Sequence, residues 1–302
     1  MKQKTKTMGT WLKSNTGKTE LLALALLMPS LALFAIFKYY PIISGAVVSF
    51  FDINIVNLPG DFCGFKNYAR AFSDPRFFEA IINNVKFFAY AILLTFWQPI
   101  ILAIFVDEMR RKSKTTFRLL YFIPAVVPGL ATTILWKYFW NPDYGIANYI
   151  LSLFNLEPQL WLNDARWVYF CMVFPNMVVF GGMSMVFYLA ALQDVPRELY
   201  EASMLEGAGF IKRIRYVTIP GIKHIVGTQI LMNVTGIFNT MDNILVWTGG
   251  GPAGETEMVL VYAYKQAINS MDYSYAITLA TIVFVATFII TLLVRGISDK
   301  KD

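Results

Sequence analysis

Six long apolar segments, separated by polar connections, run along the chain and predict a helical membrane protein. Each segment is almost free of charge over about 17–25 positions, the length that an α-helix needs to cross a bilayer core. The segments are residues 21–37, 87–106, 119–136, 167–192, 225–241 with an extension to 247, and 273–294. We therefore expect an all-α, polytopic membrane domain over residues 20–297, between a basic tail (1–19) and a short tail (298–302).

The first apolar segment follows a lysine-rich tail, which is also how a secretory signal peptide is arranged. The tail would be an unusually long n-region for a signal peptide. No cleavage site with small residues, followed by a polar mature start, comes after the segment. We therefore interpret this segment as a retained membrane helix.

The composition agrees with a membrane location, since 56% of the residues are hydrophobic, 15% are charged and the mean hydropathy is +0.50. A soluble monomer of this composition would expose large apolar patches, and a disordered chain would be polar. Two cysteines, Cys63 and Cys171, exclude a disulfide scaffold. A single histidine, His224, gives no basis for a histidine metal site.

The net charge is +6, and the basic residues are distributed unevenly between the two sides of the membrane. With six spans, both tails lie on the same side as the second-to-third and fourth-to-fifth connections. These parts hold 18 of the 26 Lys and Arg residues, and the other three connections hold eight. Because basic residues accumulate on the cytoplasmic side, we expect both termini and Lys114 inside and Asn155 outside. The charge thus indicates topology and contact with anionic lipid, not nucleic-acid binding.

Proline and glycine interrupt the apolar segments in several places. Such breaks are tolerated where neighbouring helices or a water-filled cavity satisfy the freed backbone groups, and small residues allow close packing. The pattern favours a moving bundle that lines a cavity over an inert anchor. The interrupting residues are Pro29, Pro99, Pro124, Pro128, Pro175, Gly129, Gly181, Gly182, Gly227 and Gly236.

The sequence contains no complete catalytic or energy-coupling motif. The Gly-Lys-Thr of residues 17–19 resembles the end of a phosphate-binding loop, but Leu12 stands where such a loop requires glycine. The nucleophile motif around Ser184 lacks its second glycine. No pair of acids lies inside a span, and Asp242 is at the outer end of the fifth. We expect no catalytic or metal site, so energy for uphill transport would come from elsewhere.

The connection between the fourth and fifth spans predicts a short cytoplasmic helix over about residues 196–206. Pro196 suits the first helical position, Glu198 suits the helix N-terminus, and the glycines at 207 and 209 are stop signals. From the residues alone, the helix fits either a groove of another protein or a membrane surface with no partner. Its face of small groups and one leucine consists of Leu199, Ala202, Ser203, Glu206 and Gly207.

The same connection resembles the EAA loop of binding-protein-dependent ABC importer permeases. The family pattern is Glu-Ala-Ala, three residues, Gly, nine residues and Ile-x-Leu-Pro. This sequence matches it with Glu201, Ala202, Ser203, Gly207, Val217, Ile219 and Pro220. The replacements of Ala by Ser, Ile by Val and Leu by Ile are conservative. By resemblance, the residues that couple the permease to its ATPase subunits are Leu199, Glu201, Ala202, Ser203, Gly207 and Pro220.

Further marks narrow the resemblance to carbohydrate-uptake permeases of the maltose-transporter type. They are Tyr39-Tyr40-Pro41, Gly64-Phe65-Lys66-Asn67-Tyr68, Tyr200, Gly249-Gly250-Gly251-Pro252 and Thr256. The similarity runs from about residue 20 to 297. It implies the type I ABC importer permease fold in a bacterial inner membrane, and import of an oligosaccharide or a related glycoside.

The resemblance also implies the partners. Two homologous permeases form the pore, two cytoplasmic ATPase subunits receive the coupling loops (residues 196–220 here), and an external solute-binding protein delivers the sugar. ATP and Mg would be bound by partner subunits, and no cofactor by this chain. The alternative from another class is a stand-alone secondary carrier or a membrane-embedded enzyme.

By the same resemblance, the sugar pocket lies in the fourth and fifth spans. Counting from the coupling loop without gaps gives Val179, Phe180, Met183, Asn233, Gly236, Ile237 and Thr240. Polar side chains beside aromatic faces suit a sugar. Alternatively, Asn233 and Thr240 join neighbouring helices by hydrogen bonds. Asn239 and Asp242 are further candidates for the pocket.

Overall fold

The computed structural model describes residues 15–54, 57–179, 181–238 and 240–299. Among these residues, three helices are long and apolar enough to cross a membrane, and two further pairs of helices qualify if each bent pair counts as one span. The all-α membrane architecture expected from the sequence is therefore present. The number of six spans stays a prediction.

The first long helix is formed by α1 (Asn15–Phe34), a π-helical turn (Ala35–Tyr39) and α2 (Tyr40–Val48). It extends well beyond the apolar segment that predicted it. None of its most apolar stretch is buried inside the chain, because α1 lies outside the rest of the bundle. The side chains of this stretch are apolar on every face of the helix. Only α2 makes substantial contact, with the last long helix. The surface of α1 therefore faces lipid or another chain.

A small β-hairpin and a short helix follow α2. Strands β1 (Phe51–Asn54) and β2 (Asn57–Phe62) pair antiparallel, and a short helix, α3 (Lys66–Ser73), comes next. The hairpin was not predicted from the sequence, since it is too short to give an alternating pattern of its own.

The second long helix runs from Pro75 to Asp107. It consists of α4 (Pro75–Ala91), a π-helical turn (Ile92–Phe96) and α5 (Trp97–Asp107). Asp74 caps its N-terminus, because its carboxylate accepts a hydrogen bond from the Arg76 N–H at 3.0 Å. The π turn comes just before Pro99, which has no N–H for the regular helical bond.

Asp74 also holds the N-terminal ends of two later helices. It accepts hydrogen bonds from the hydroxyls of Tyr262 at 2.6 Å and Tyr275 at 2.7 Å. Burial opposes ionisation of this carboxyl, but the two tyrosine hydroxyls and the Arg76 N–H outweigh it, so the pKa of Asp74 is lowered. The carboxylate thus joins α4 to the C-terminal part of the bundle.

The predicted third span, 119–136, is not one straight helix. Helix α6 (Arg111–Phe122) continues in a 3₁₀ turn (Ile123–Val126), and α7 (Gly129–Phe139) leaves at an angle of 92°. Val127 is extended because Pro128 follows it, and the proline ring sterically disfavours the helical conformation of the preceding residue. A short helix, α8 (Ile146–Leu153), and a 3₁₀ turn (Trp161–Asn163) complete the connection.

The fourth predicted span forms α9 (Val168–Val179) and α10 (Gly181–Asp194), bent by 51°. Helix α10 packs closely on α6, since a side-chain carbon at Gly182 would overlap the backbone carbonyl of Tyr121. Only glycine fits this contact.

The fifth predicted span corresponds to α14 (Lys223–Phe238) and α15 (Met241–Trp247), on either side of residue 239. The remaining helices are α11 (Arg197–Leu205), α12 (Phe210–Arg213), a π turn (Ile214–Thr218), α13 (Ile219–Gly221), α16 (Val259–Ile268) and α17 (Tyr273–Asp299). We call the end of the bundle that carries α11 the coupling end.

Two cores stabilise the opposite ends of the bundle. An aromatic core lies away from the coupling end, around Trp140, Trp161 and Trp247. There the Trp247 Nε1–H donates to the Thr133 carbonyl at 2.6 Å, which fixes α15 against α7. The inner apolar layer, at the coupling end, is formed by Ile100, Ile104, Leu189, Leu192, Val195 and Ile222.

Candidate functional site

Helix α11 is bounded as its sequence predicts. It begins after Pro196, which is the extended N-cap rather than the first helical residue, and it ends at Leu205. The Ala208 N–H donates to the Ser203 carbonyl at 2.9 Å, and the Gly207 N–H donates to the Met204 carbonyl at 3.0 Å. This bond pair is a Schellman motif, which needs a residue with positive φ after the helix. Gly207 supplies it with φ of +76°.

One side of α11 packs onto the bundle. The Tyr200 hydroxyl donates to the Thr218 Oγ1 at 3.2 Å, and Thr218 is buried in the π turn. Val217 and Ile219 pack against the inner apolar layer. A side-chain carbon at Gly221 would come within 2.7 Å of Val195 Cγ2, so the returning chain lies directly on that layer. The helix is therefore held by its own chain on this side.

The other side of α11 borders an open groove of about 620 Å³. Five of the six predicted coupling residues line it, and Glu201 does not, although it is exposed. The predicted five are Leu199, Ala202, Ser203, Gly207 and Pro220. Glu206, Ala208, Lys212, Tyr216, Val217 and Gly221 complete the lining. Half of the Leu199 surface and 70% of that of Tyr216 are exposed. An exposed groove of apolar and small groups with a charged rim suits a protein partner.

A second concave region of about 420 Å³ lies inside the bundle. It is bordered by the second long helix, α9, α10, α14 and α15, and we call it the bundle cavity. Its polar lining residues are Thr95, Asn176, Ser184, Tyr188, Gln229, Asn233, Thr240 and Asn243, and its aromatic ones include Phe87, Phe96 and Phe187. None of the described residues that line it is Asp, Glu, Lys, Arg or His.

Four of the seven predicted pocket residues line the bundle cavity. They are Met183, Asn233, Gly236 and Thr240. Phe180 and Asn239 lie outside the described residues, and the side chains of Val179 and Ile237 are not described. Asp242 is exposed and is not part of the lining, whereas Asn243 beside it is.

Part of the polar capacity of the predicted residues is used within their own predicted span. The Asn233 Nδ2 donates to the Gln229 carbonyl at 2.8 Å, and the Thr240 hydroxyl donates to the Gly236 carbonyl at 2.9 Å. Asn233 therefore keeps its Oδ1 acceptor and one Nδ2 N–H for a ligand. The Asn233 bond stays within α14, and the Thr240 bond crosses the break between α14 and α15, so neither bond links two separate spans.

Sequence reasoning missed several cavity residues, among them Asn176, Ser184, Tyr188, Gln229 and Asn243. A polar residue inside an apolar span is itself a signal of function, and that signal was present at Asn176 and Gln229. Tyr188 gives no such signal, because tyrosine is common in membrane helices. Among the described residues, no group of three His, Cys, Asp or Glu side chains could hold a metal ion.

Comparison with known proteins identifies the class. Residues 99–301 match the family described as "Binding-protein-dependent transport system inner membrane component". A probable ABC transporter permease protein of Bacillus subtilis, YurN, is 31% identical over 88% of this chain and 92% of its own length. The chain therefore belongs to this family of inner-membrane transport permeases, a multi-pass transport subunit and not an enzyme.

Other relatives and solved structures agree. The sulfoquinovosyl glycerol permease SmoG of Agrobacterium fabrum is 28% identical over 93% of this chain and 92% of its own. The trehalose/maltose permease MalF of Thermococcus litoralis is 28% identical over 90% of this chain and 92% of its own length. The crystal structure of a bacterial ABC transporter that imports alginate matches with a TM-score of 0.82 at 23% identity, covering 94% of this chain and 96% of that one. That likeness confirms the expected permease fold.

Proposed function

We propose that this permease carries a neutral oligosaccharide or a related glycoside through the bundle cavity into the cytoplasm. The observation that carries this proposal is the lining of the cavity, which combines amide and hydroxyl side chains with phenylalanines and has no charged residue among those described. Amides both donate and accept, which matches sugar hydroxyls, and aromatic faces match the apolar faces of sugar rings.

Three relatives support a neutral substrate, since their names describe transport of arabinooligosaccharides, lactose and trehalose or maltose. A fourth is named for a sulfonated, anionic glycoside, so the relatives support transport of a glycoside more strongly than they support its charge. An acidic sugar such as alginate, the substrate of the similar solved transporter, would need a cation in its site. The described lining offers none, so we expect uncharged sugars to be preferred.

The groove beside α11 is proposed as the seat of an ATPase subunit. We infer two such subunits, which bind ATP and Mg, a second permease subunit and an external solute-binding protein. The exposed surface of α1 and the incomplete enclosure of the bundle cavity by one chain both support a second permease. The coupling end and both termini then face the cytoplasm, as the distribution of basic residues indicates.

The test is uptake by a reconstituted complex. The chain is purified from its host together with the ATPase, permease and binding-protein subunits that associate with it, and the complex is placed in proteoliposomes loaded with ATP and Mg. The probes are radiolabelled lactose, maltose, trehalose, arabinotriose and an alginate trisaccharide. We expect ATP-dependent uptake of at least one neutral sugar of the panel and no uptake of the alginate trisaccharide.

Two controls separate this proposal from the alternatives. Liposomes that hold this chain alone should take up none of the probes, and uptake without any ATPase would indicate a secondary carrier. ATP-dependent uptake restricted to the acidic sugar would overturn the neutral substrate class. A complex that takes up no sugar of the panel would overturn the proposal as a whole.

A further inference from the structure

Two buried side chains in the bundle cavity carry a polar atom that lacks a partner. They are Tyr188, whose surface is 1% exposed, and Gln229, at 4%. The Tyr188 hydroxyl and the Gln229 Nε2 form no hydrogen bond within the described part of the chain, yet both residues line the cavity. Two other buried atoms, on Gln98 and Trp140, share this property, but neither of those residues lines the cavity.

Both side chains lie at the end of the cavity nearest the coupling end. Tyr188 is on the half of α10 that leads to α11, and Gln229 is one helical turn closer to the start of α14 than Asn233. The inner apolar layer begins directly beyond them, and Tyr188 itself packs against it. They are therefore the last polar groups that a substrate meets before the apolar closure.

The chemistry of the two atoms is complementary to a sugar hydroxyl. A phenolic hydroxyl and a primary amide both donate hydrogen bonds, and a sugar oxygen accepts them. A buried donor without an acceptor is unfavourable, and native proteins leave few such groups. Two of them in one cavity indicate that an acceptor is supplied from outside the chain.

We propose that Tyr188 and Gln229 form an inner subsite that binds the leading hydroxyl groups of the sugar at the coupling end of the bundle cavity. This inference rests on the proposed function. It adds a second place of contact, one turn deeper than the site predicted around Asn233, so a sugar that reaches it spans the cavity and touches its closed end.

The test uses Tyr188→Phe and Gln229→Leu in the reconstituted complex. The probe is the panel sugar that the wild-type complex takes up best. Each variant should raise the KM for uptake about 3- to 10-fold, the range for loss of one hydrogen bond. Since the wild-type hydroxyl has no protein partner, Tyr188→Phe should leave the melting temperature of the complex unchanged or raised.

The matched control is Tyr169→Phe. Tyr169 is also buried, but its hydroxyl donates to the Glu255 carbonyl, and the residue does not line the cavity. That variant should lower the melting temperature and leave KM unchanged, the reverse of the result expected at position 188.

Each remaining outcome decides against the inference. Unchanged KM in both variants would mean that water alone satisfies the two atoms. A lower melting temperature with unchanged KM at position 188 would mean a structural role. If Tyr188→Phe does not assemble, the KM of Gln229→Leu decides alone. If the wild-type complex takes up no panel sugar, the proposed function fails first, and this inference with it.

Discussion

Replacement of Gly207 by leucine should lower both sugar uptake and the ATP hydrolysis that the permease stimulates. Two effects act there. The residue has φ of +76°, and an L-residue other than glycine pays about 1–2 kcal/mol in that region. The position also lines the α11 groove, so a leucine side chain would occupy space that we assign to the ATPase subunit.

The second effect would act against the proposed ATPase subunit and not within this chain. A side-chain carbon at Gly207 would meet nothing within 4 Å in this chain, so no internal clash is expected. Overpacking a close interface costs about 1–3 kcal/mol, which corresponds to roughly 5- to 150-fold weaker seating of the ATPase. Sugar uptake and stimulated ATP hydrolysis should fall together, while membrane insertion persists.

Two further variants distinguish strain from obstruction. Gly207→Asn adds a side chain with little backbone strain, because asparagine tolerates the left-handed region of φ and ψ. Gly209→Leu adds the larger side chain at a position with φ of −68° that does not line the groove. Obstruction predicts defects in both position 207 variants and normal uptake for Gly209→Leu. Normal uptake by a stably inserted Gly207→Leu protein would falsify the assignment of this groove to coupling.

Three further predictions concern the pocket, the topology and the outer loops. Asn233→Leu should reduce sugar uptake about 5-fold or more through loss of the Oδ1 acceptor, without a change in basal ATPase activity; equal loss of both activities and of assembled yield would instead indicate a packing role. A thiol introduced at Lys114 should be labelled only from the cytoplasm and one at Asn155 only from outside, and labelling from the reversed sides contradicts the topology. Asp74→Asn should lower the melting temperature at pH 7. The difference from wild type should shrink as the pH falls below 3.8, the ordinary carboxyl pKa, because a carboxyl with a lowered pKa stabilises the fold only while it is ionised. A difference in melting temperature that does not depend on pH would exclude this role.

The sequence predicted the parts of the fold that depend on hydropathy and on local capping. The helix of the coupling loop was predicted to within a residue at its C-terminal end, because Gly207 is a specific stop signal. Pro128 predicted a break, but not its angle of 92°, since that angle is set by how α7 packs against α15. The β1–β2 hairpin has no hydropathy pattern of its own, and Pro99 indicated a break in the second span without specifying a π turn.

The candidate pocket was predicted in part for a similar reason. Asn233 and Thr240 both line the cavity from the fifth predicted span, so counting along the chain could find them. Tyr188 and Gln229 acquire their significance only from two helices meeting above the inner apolar layer. That relation is tertiary, and residue type alone does not report it.

The exposure of α1 on the outside of its own chain has an evolutionary consequence. Apolar exchanges on its outward surface leave the core packing of this subunit unchanged, so selection acts on them only through insertion into lipid and, in the proposed assembly, through contact with the second permease. Selection for which partner to accept can therefore act on this helix independently of selection for fold. Duplicated permeases of this kind can diverge into obligate, non-interchangeable pairs by changes confined to one element.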